Sequence, residues 1–275
     1  MKKRVISFVL VLILAISLLG TSAFAAGFSS PFSGPYVIRN EKVVSMTSIK
    51  GLSGKTIVYP TALEKTDAKY PVIVWANGTG CVTPLYSQLL ALFANAGYIV
   101  VADSNVMPGD GQSIIKSINY IINENKNAKS VFYGKVDVNN IGAAGHSQGG
   151  KGVVCAAAKD SRIKCILSIA GASSAAEAKG VKCPAFYMTG SADFIVFSPM
   201  WVKPSYNASS GPAVYACLKF APHTTCMLDP GEIYEYGVQW FNAYLKLGGD
   251  SAAVKQVITN IDADDFWKDV ASRNF

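Results

Sequence analysis

Short segments that are apolar on both faces recur along this chain, and they constrain its fold more than any other feature. Val72 to Ala76 and Tyr98 to Ala102 carry β-branched, aromatic or small apolar residues at successive positions, without polar alternation. Such strands are expected where helices cover both faces of a parallel sheet. Eight segments have strand character. They are residues 36–39, 55–59, 72–76, 98–102, 140–144, 164–170, 185–189 and 213–220.

Helical patterns lie between these strands. Apolar residues recur every three to four positions in residues 84–95, 112–123, 148–159 and 232–247, which is the spacing of a helix with one buried face. Alternating strands and helices predict an α/β fold with a single doubly wound, mostly parallel sheet flanked by helices. The segment between the strands ending near Ala170 and beginning near Ala185 is short. We therefore expect no large cap or lid, and an open site.

The first residues have the pattern of a secretory signal. Basic residues after Met1 precede an apolar run from Val5 to Gly20, and a small-residue cleavage motif ends at Ala25. The run is shorter than the ~20 residues of a membrane span. We predict a signal peptide at residues 1–25, a catalytic domain at 26–275, and a secreted, extracellular protein without stable membrane insertion.

Charge and cysteine content narrow the class of protein. Without the signal peptide the chain has 22 basic and 18 acidic side chains, or +4, and the scattered basic residues leave no nucleic-acid footprint. An exported chain can keep disulfides, so we expect structural disulfides whose pairing stays open. With two histidines and no C-x-x-C pair, we expect no metal and no cofactor. The six cysteines are Cys81, Cys155, Cys165, Cys183, Cys217 and Cys226.

The strongest local motif is Gly145-His146-Ser147-Gln148-Gly149. It follows a predicted strand and opens a predicted helix. This is G-x-S-x-G in the strand–turn–helix context of a nucleophile elbow, where a sharp turn presents the serine hydroxyl and the helix N-terminus favours negative charge. The motif predicts Ser147 as the nucleophile of an α/β-hydrolase fold. A plain tight turn is the alternative.

A base and an acid are expected after the nucleophile. His223 follows Ser147 and lies in the loop before the final predicted helix, and Asp193 follows the strand at residues 185–189. We predict His223 as the base and Asp193 as the acid that orients it. Asp229 is the competing acid, but it lies at the start of a helix, where an aspartate usually caps or offsets the helix dipole.

An oxyanion hole would complete the site. Gln148, directly after the nucleophile, supplies one backbone N–H. The strand at residues 72–76 ends in a glycine-containing loop that allows close backbone approach, and we predict Thr79 in that loop as the second donor. A glycine turn without this role is the alternative. His146 points differently from Ser147 on a sharp turn, so we expect it to line the substrate cleft.

These residues together resemble the lidless bacterial polyester hydrolases and cutinases, which are related to secreted lipases and chlorophyllase-like esterases. The likeness covers most of the chain after residue 25 and is most specific from Phe132 to Gly150. It implies hydrolysis of carboxylic esters through an acyl-enzyme, on polyesters including PET-like ones, cutin-like material or acylglycerols. It also places His146 and Ile195 beside the bound acyl or aromatic group. In addition, it implies that Cys226 tethers the histidine loop through a disulfide whose second cysteine is not identified.

The resemblance also has departures. The family typically carries an aromatic residue at the position of Thr79 and a methionine at the position of Gln148. We expect an ester substrate, at an insoluble polymer or lipid surface, and a monomer. Two alternatives stay open, namely a small-ester or acetyl esterase on soluble substrates and a non-catalytic secreted binding protein on the same fold.

Overall fold

The computed structural model describes residues 44–49, as backbone, and residues 54–275. The predicted signal peptide, its boundary at residue 26 and the predicted strand at residues 36–39 lie outside the described residues. These three expectations stay predictions.

One mixed sheet of nine strands runs through the described residues. Its order is β1-β2-β4-β3-β5-β6-β7-β8-β9. The strands β3 to β8 are mutually parallel, whereas β2 and β9 run antiparallel to them. The doubly wound, mostly parallel sheet of an α/β-hydrolase fold is therefore confirmed. The strands are β1 (Val44–Ile49), β2 (Lys55–Pro60), β3 (Tyr70–Ala76), β4 (Ile99–Asp103), β5 (Val136–His146), β6 (Ile163–Ile169), β7 (Ala185–Gly190), β8 (Ala213–Leu218) and β9 (Trp267–Arg273).

Helices connect the strands and cover both faces of the sheet. Short 3₁₀ turns occupy Thr61–Lys65 and Thr83–Tyr86, and the helix before residue 242 continues as a π-helical turn at Asn242–Lys246. Among residues 54–275, every helix is too short or too polar to span a lipid bilayer. The α-helices are α1 (Ser87–Asn95), α2 (Gln112–Glu124), α3 (Gln148–Ala157), α4 (Ala175–Ala178), α5 (Val202–Ala208), α6 (Thr225–Leu228), α7 (Gly231–Phe241) and α8 (Ser251–Asp262).

Successive side chains of the central strands enter two separate cores. In β3, Val72 and Val74 belong to the core that includes α2, α3 and α5, whereas Ile73 and Trp75 belong to the core that includes α1 and α7. All four side chains are fully buried. Both faces of these strands exclude water, which explains why their sequence lacks polar alternation.

The parallel register brings the carboxyl ends of the strands to one edge of the sheet. Ala76 of β3 pairs with Gly145 of β5, and Gly190 of β7 pairs with Leu218 of β8. The loops after β3, β5, β7 and β8 therefore meet at this edge. Between β6 and β7 there is only the four-residue helix α4, so no large cap covers the edge within residues 54–275.

All six cysteines are free thiols in the structure. Five are buried, and Cys183 is partly exposed. Burial raises the pKa of the thiols of Cys165 and Cys226 well above the usual range. The expected structural disulfides are therefore not confirmed.

A buried ion pair joins β2 to β4 beneath the loop that follows β3. Lys55 Nζ lies 2.7 Å from Asp103 Oδ2, and the two side chains are 3% and 11% exposed. The ammonium also donates to Ser117 Oγ of α2 at 3.0 Å. Removing one partner of such a pair leaves an uncompensated buried charge.

We predict that Lys55→Met lowers the free energy of unfolding by about 3 kcal/mol, because Asp103 loses its countercharge. The matched control is Lys151→Met. Its ion pair with Glu177 is about one-third exposed on each side, at 33% and 31%, so its loss should cost less than about 1 kcal/mol. Urea unfolding of both variants gives the comparison. Equal losses would show that the buried pair contributes no more than a surface pair.

Candidate active site

Ser147 occupies the sharp turn between β5 and α3. Its φ is 56° and its ψ is −119°, an unusual backbone conformation for a residue with a side chain. The Ser147 N–H donates to Ile169 O of the neighbouring strand at 2.9 Å, which holds the turn against β6. The structure therefore presents Ser147 at the carboxyl edge on a strained elbow, and such strain is concentrated at functional sites.

Glycine is required beside this elbow for steric reasons. A Cβ at Gly149 would lie 2.1 Å from the Ala76 carbonyl oxygen, and a Cβ at Gly145 would lie 2.5 Å from the Gly149 carbonyl oxygen. Real Cβ atoms do not approach so closely. The missing side chains let the first turn of α3 pack against the end of β3.

Asp193 and His223 come together from the loops after β7 and β8. His223 Nδ1 lies 2.7 Å from Asp193 Oδ2, and the aspartate side chain is fully buried. Asp193 Oδ1 accepts from the N–H groups of Ile195 and Val196 at 2.9 and 2.8 Å. The carboxylate is thus oriented by backbone amides, with its second oxygen aimed at the imidazole. The structure pairs His223 with Asp193 and not with the competing Asp229.

The loop after β3 lies directly against the elbow. A Cβ at Gly78 would be 3.4 Å from Ser147 Cβ. Within residues 54–275 the adjacent Thr79 N–H has no hydrogen-bond acceptor. Gln148 is the first residue of α3, so its N–H has no intrahelical partner. Among residues 54–275, neither predicted oxyanion donor therefore has a backbone acceptor for its N–H, and each adjoins a residue that lies at the elbow.

His146 differs from its predicted placement. It is 1% exposed, so a ligand cannot contact it at the wall of an open cleft, which corrects the expected substrate-binding role. Its Nε2 lies 2.9 Å from the His223 carbonyl oxygen, and its Nδ1 lies 3.0 Å from the Tyr86 hydroxyl. On the sharp turn, the ring points into the protein between α1 and the histidine loop.

Hydrogen-bond chemistry settles the direction of these contacts. A carbonyl oxygen can only accept, so His146 Nε2 carries the proton and Nδ1 is the acceptor. The Tyr86 hydroxyl then donates to Nδ1, and its oxygen accepts the Gly78 N–H at 3.0 Å. Burial, and then the neighbouring His223, keep the pKa of His146 well below its usual range.

Two buried polar residues near the elbow, Tyr86 and Asn77, were not predicted from the sequence. Tyr86 is fully buried, and its place in an apolar helical pattern gave no signal of a polar role. Asn77, also fully buried, accepts from Trp75 Nε1 at 3.0 Å and donates to the Asp103 carbonyl oxygen at 2.9 Å. A polar residue directly after a buried strand was a usable signal for Asn77.

A small cavity of about 10 Å³ lies beside Asp193 and His223, and its lining does not include Ser147. It has room for no more than one ordered water. A larger groove of about 640 Å³ starts at Gln148 and continues along α3 to Lys159. Ile195 is 52% exposed at the surface near Asp193. Within the described residues, no three His, Cys, Asp or Glu side chains are grouped so that they could hold a metal ion.

Comparison with known proteins agrees with this architecture. The model of a family described as PET hydrolase-like matches residues 23–255. A bis(hydroxyethyl) terephthalate hydrolase from Streptomyces coelicolor is 23% identical over 219 residues, which is 77% of this chain and 68% of the relative. The likeness therefore extends through β1 to α7 and includes every residue of the candidate site.

We predict that His146 makes the fold sensitive to acid. An unfolded histidine takes up its proton near pH 6.5, whereas folded His146 does so only at much lower pH. Below about pH 6.5 the unfolded state therefore binds more protons than the folded state. As the pH falls from there toward the lower folded pKa, the free energy of unfolding decreases by up to about 1.4 kcal/mol per pH unit. His146→Phe should flatten this decline.

Urea unfolding at fixed steps between pH 7 and pH 5 measures the effect. The chain contains two histidines, so His223→Phe is the matched control and should retain the decline. Parallel pH dependences for the wild type and His146→Phe would assign the acid sensitivity to other groups.

Proposed function

We propose that this chain, which belongs to the PET hydrolase-like family, is a serine hydrolase that cleaves carboxylic esters through an acyl-enzyme. The observation that carries the proposal is the 2.7 Å contact between His223 Nδ1 and Asp193 Oδ2, on loops that meet the strained Ser147 elbow. A serine hydroxyl is a weak nucleophile unless a base accepts its proton, and this pair supplies an oriented base.

In the proposed reaction, Ser147 Oγ attacks the ester carbonyl while His223 Nε2 accepts the hydroxyl proton. Asp193 accepts from His223 Nδ1–H and stabilises the imidazolium that forms. The N–H groups of Thr79 and Gln148 stabilise the oxyanion of the tetrahedral intermediate. His223 then gives its proton to the leaving alcohol, and water attacks the acyl-enzyme in the same way to release the acid.

Exposed apolar side chains are concentrated on the segments that follow the strands at the carboxyl edge of the sheet. Of 15 large apolar side chains that are exposed in residues 54–275, 11 lie on the segments after β3, β4, β7 and β8. Residues 194–201 include no charged side chain. Concentrated exposed apolar surface is typical of an interaction site. We call these residues the apolar rim: Val82, Leu85, Val106, Met107, Phe194, Ile195, Phe197, Met200, Trp201, Phe220 and Leu228.

The apolar rim favours an ester at an apolar surface, because exposed apolar side chains can contact apolar material. We infer that the substrate lies across the rim. We infer polyester, cutin-like or acylglycerol substrates, and the name of the terephthalate-ester relative favours aromatic polyesters. Export through the signal peptide at residues 1–25 would bring the enzyme, as a monomer, to such material.

We predict that Ser147→Ala lowers turnover of p-nitrophenyl esters about a millionfold, because the nucleophile is lost. The wild type and the variant are compared on esters from acetate to palmitate and on a polyester film. Ser173→Ala is the matched control, since Ser173 is buried outside the triad and bonds to Ser205. Wild-type turnover confined to acetate would favour the small-ester esterase, and an active Ser147→Ala would remove the serine mechanism.

The apolar rim gives a second prediction. Met200→Ser with Leu228→Ser should lower product release from a polyester film about tenfold, because two apolar contacts with the film are lost. Turnover of soluble p-nitrophenyl acetate should stay within about twofold, since neither residue belongs to the triad.

Phe275→Ser is the control for the rim. Phe275 is 57% exposed, but it follows Arg273, which pairs with the first residue of β8 at the opposite edge of the sheet. Its replacement should leave film and soluble activities unchanged. Equal losses from the rim variant and from Phe275→Ser would mean that surface apolarity in general, and not the rim, governs film hydrolysis.

A further inference from the structure

One continuous chain of hydrogen bonds connects the three loops that carry the proposed chemistry. Gly78 N–H donates to the Tyr86 hydroxyl at 3.0 Å, Tyr86 O–H donates to His146 Nδ1 at 3.0 Å, and His146 Nε2–H donates to the His223 carbonyl at 2.9 Å. Gly78 adjoins Thr79, and His146 adjoins Ser147. We propose that Tyr86 and His146 are positioning residues that keep the oxyanion donors, the nucleophile and the base in one geometry.

Both side chains in this series of hydrogen bonds are buried. Tyr86 is fully buried and His146 is 1% exposed, so water cannot replace a partner that moves away. A buried polar group that loses its partner costs free energy, which opposes displacement of any of the three loops. Packing alone would be served by apolar side chains of similar size, so the polar atoms need another explanation.

The arrangement is also tight. The rings of His146 and His223 have centroids 4.5 Å apart, and those of Tyr86 and His146 are 5.8 Å apart. A Cβ at Gly78 would lie 3.1 Å from the Tyr86 hydroxyl and 3.2 Å from His146 Nδ1. A shift in one ring is therefore transmitted to the loop on either side.

The contacts act on backbone groups and not on the substrate. His146 Nε2–H donates to the main-chain carbonyl of His223, while Asp193 orients the His223 ring. Tyr86 holds the amide next to the Thr79 donor. Both the base and the oxyanion hole act in the transition state. Breaking one of these hydrogen bonds should therefore weaken stabilisation of the transition state more than it weakens binding of the ground-state ester.

This inference rests on the proposed serine-hydrolase function, and three variants test it. Tyr86→Phe should lower kcat for p-nitrophenyl butyrate about tenfold, and His146→Phe at least as much, because each leaves buried groups unpaired. KM should stay within about twofold. In the double variant the losses should not add, since both substitutions break the same chain.

His146→Gln separates positioning from packing. The glutamine amide can donate to the His223 carbonyl as Nε2–H does, so this variant should recover part of the kcat lost in His146→Phe. A role in packing alone predicts the reverse order, because phenylalanine matches the shape of the ring better than glutamine does. That reverse order, or unchanged kcat in Tyr86→Phe, would overturn the inference.

A second assay keeps this test distinct from that of the proposed function. The rate of phosphonylation of Ser147 by a fluorophosphonate, followed by intact mass, needs the base and the oxyanion hole but no particular ester, and its end point counts folded enzyme. A wild type inert to esters but phosphonylated would remove the ester assignment, and the probe rates of the variants would still decide the positioning role. Inertness in both assays would overturn both.

Discussion

The parallel register of the central strands is the constraint on which the rest of this structure depends. Because β3, β5, β7 and β8 run the same way and are buried on both faces, their carboxyl ends must meet at one edge. Residues far apart in the chain then become neighbours without any specific attraction between them. Ser147, Asp193 and His223 each follow a different strand, and the sheet brings their loops together.

At that edge the backbone is strained and tightly packed. Ser147, Ala170 and Phe220 all have positive φ, at 56°, 47° and 58°, and each follows the end of a strand. Hydrogen bonds hold these turns in place, as between Ser147 N–H and Ile169 O at 2.9 Å and between Phe220 N–H and Ser191 Oγ at 2.8 Å. The sheet below is rigid enough to keep these unusual conformations, which is how strained residues persist at functional sites.

The same edge reverses the usual distribution of polar and apolar groups. Asn77, Tyr86, His146 and Asp193 are buried and hydrogen-bonded, whereas the apolar rim is exposed. Buried polar groups that are fully paired rigidify a site, and exposed apolar groups favour contact with apolar material. This combination supports the proposal of an ester hydrolase that acts at an apolar surface.

Local patterns predicted the strands β2 to β8, the helices α1, α2, α3 and α7, and the elbow, because periodicity and the G-x-S-x-G spacing are properties of neighbouring residues. They did not predict β1 or the helix α8. They could not reveal β9, an edge strand in which only Trp267 is buried, since its strand character comes from pairing with β8. Nor could they place His146. The sequence located it beside the predicted nucleophile Ser147, but only the tertiary structure, by bringing Tyr86 and His223 to its two ring nitrogens, decided that it faces the protein interior.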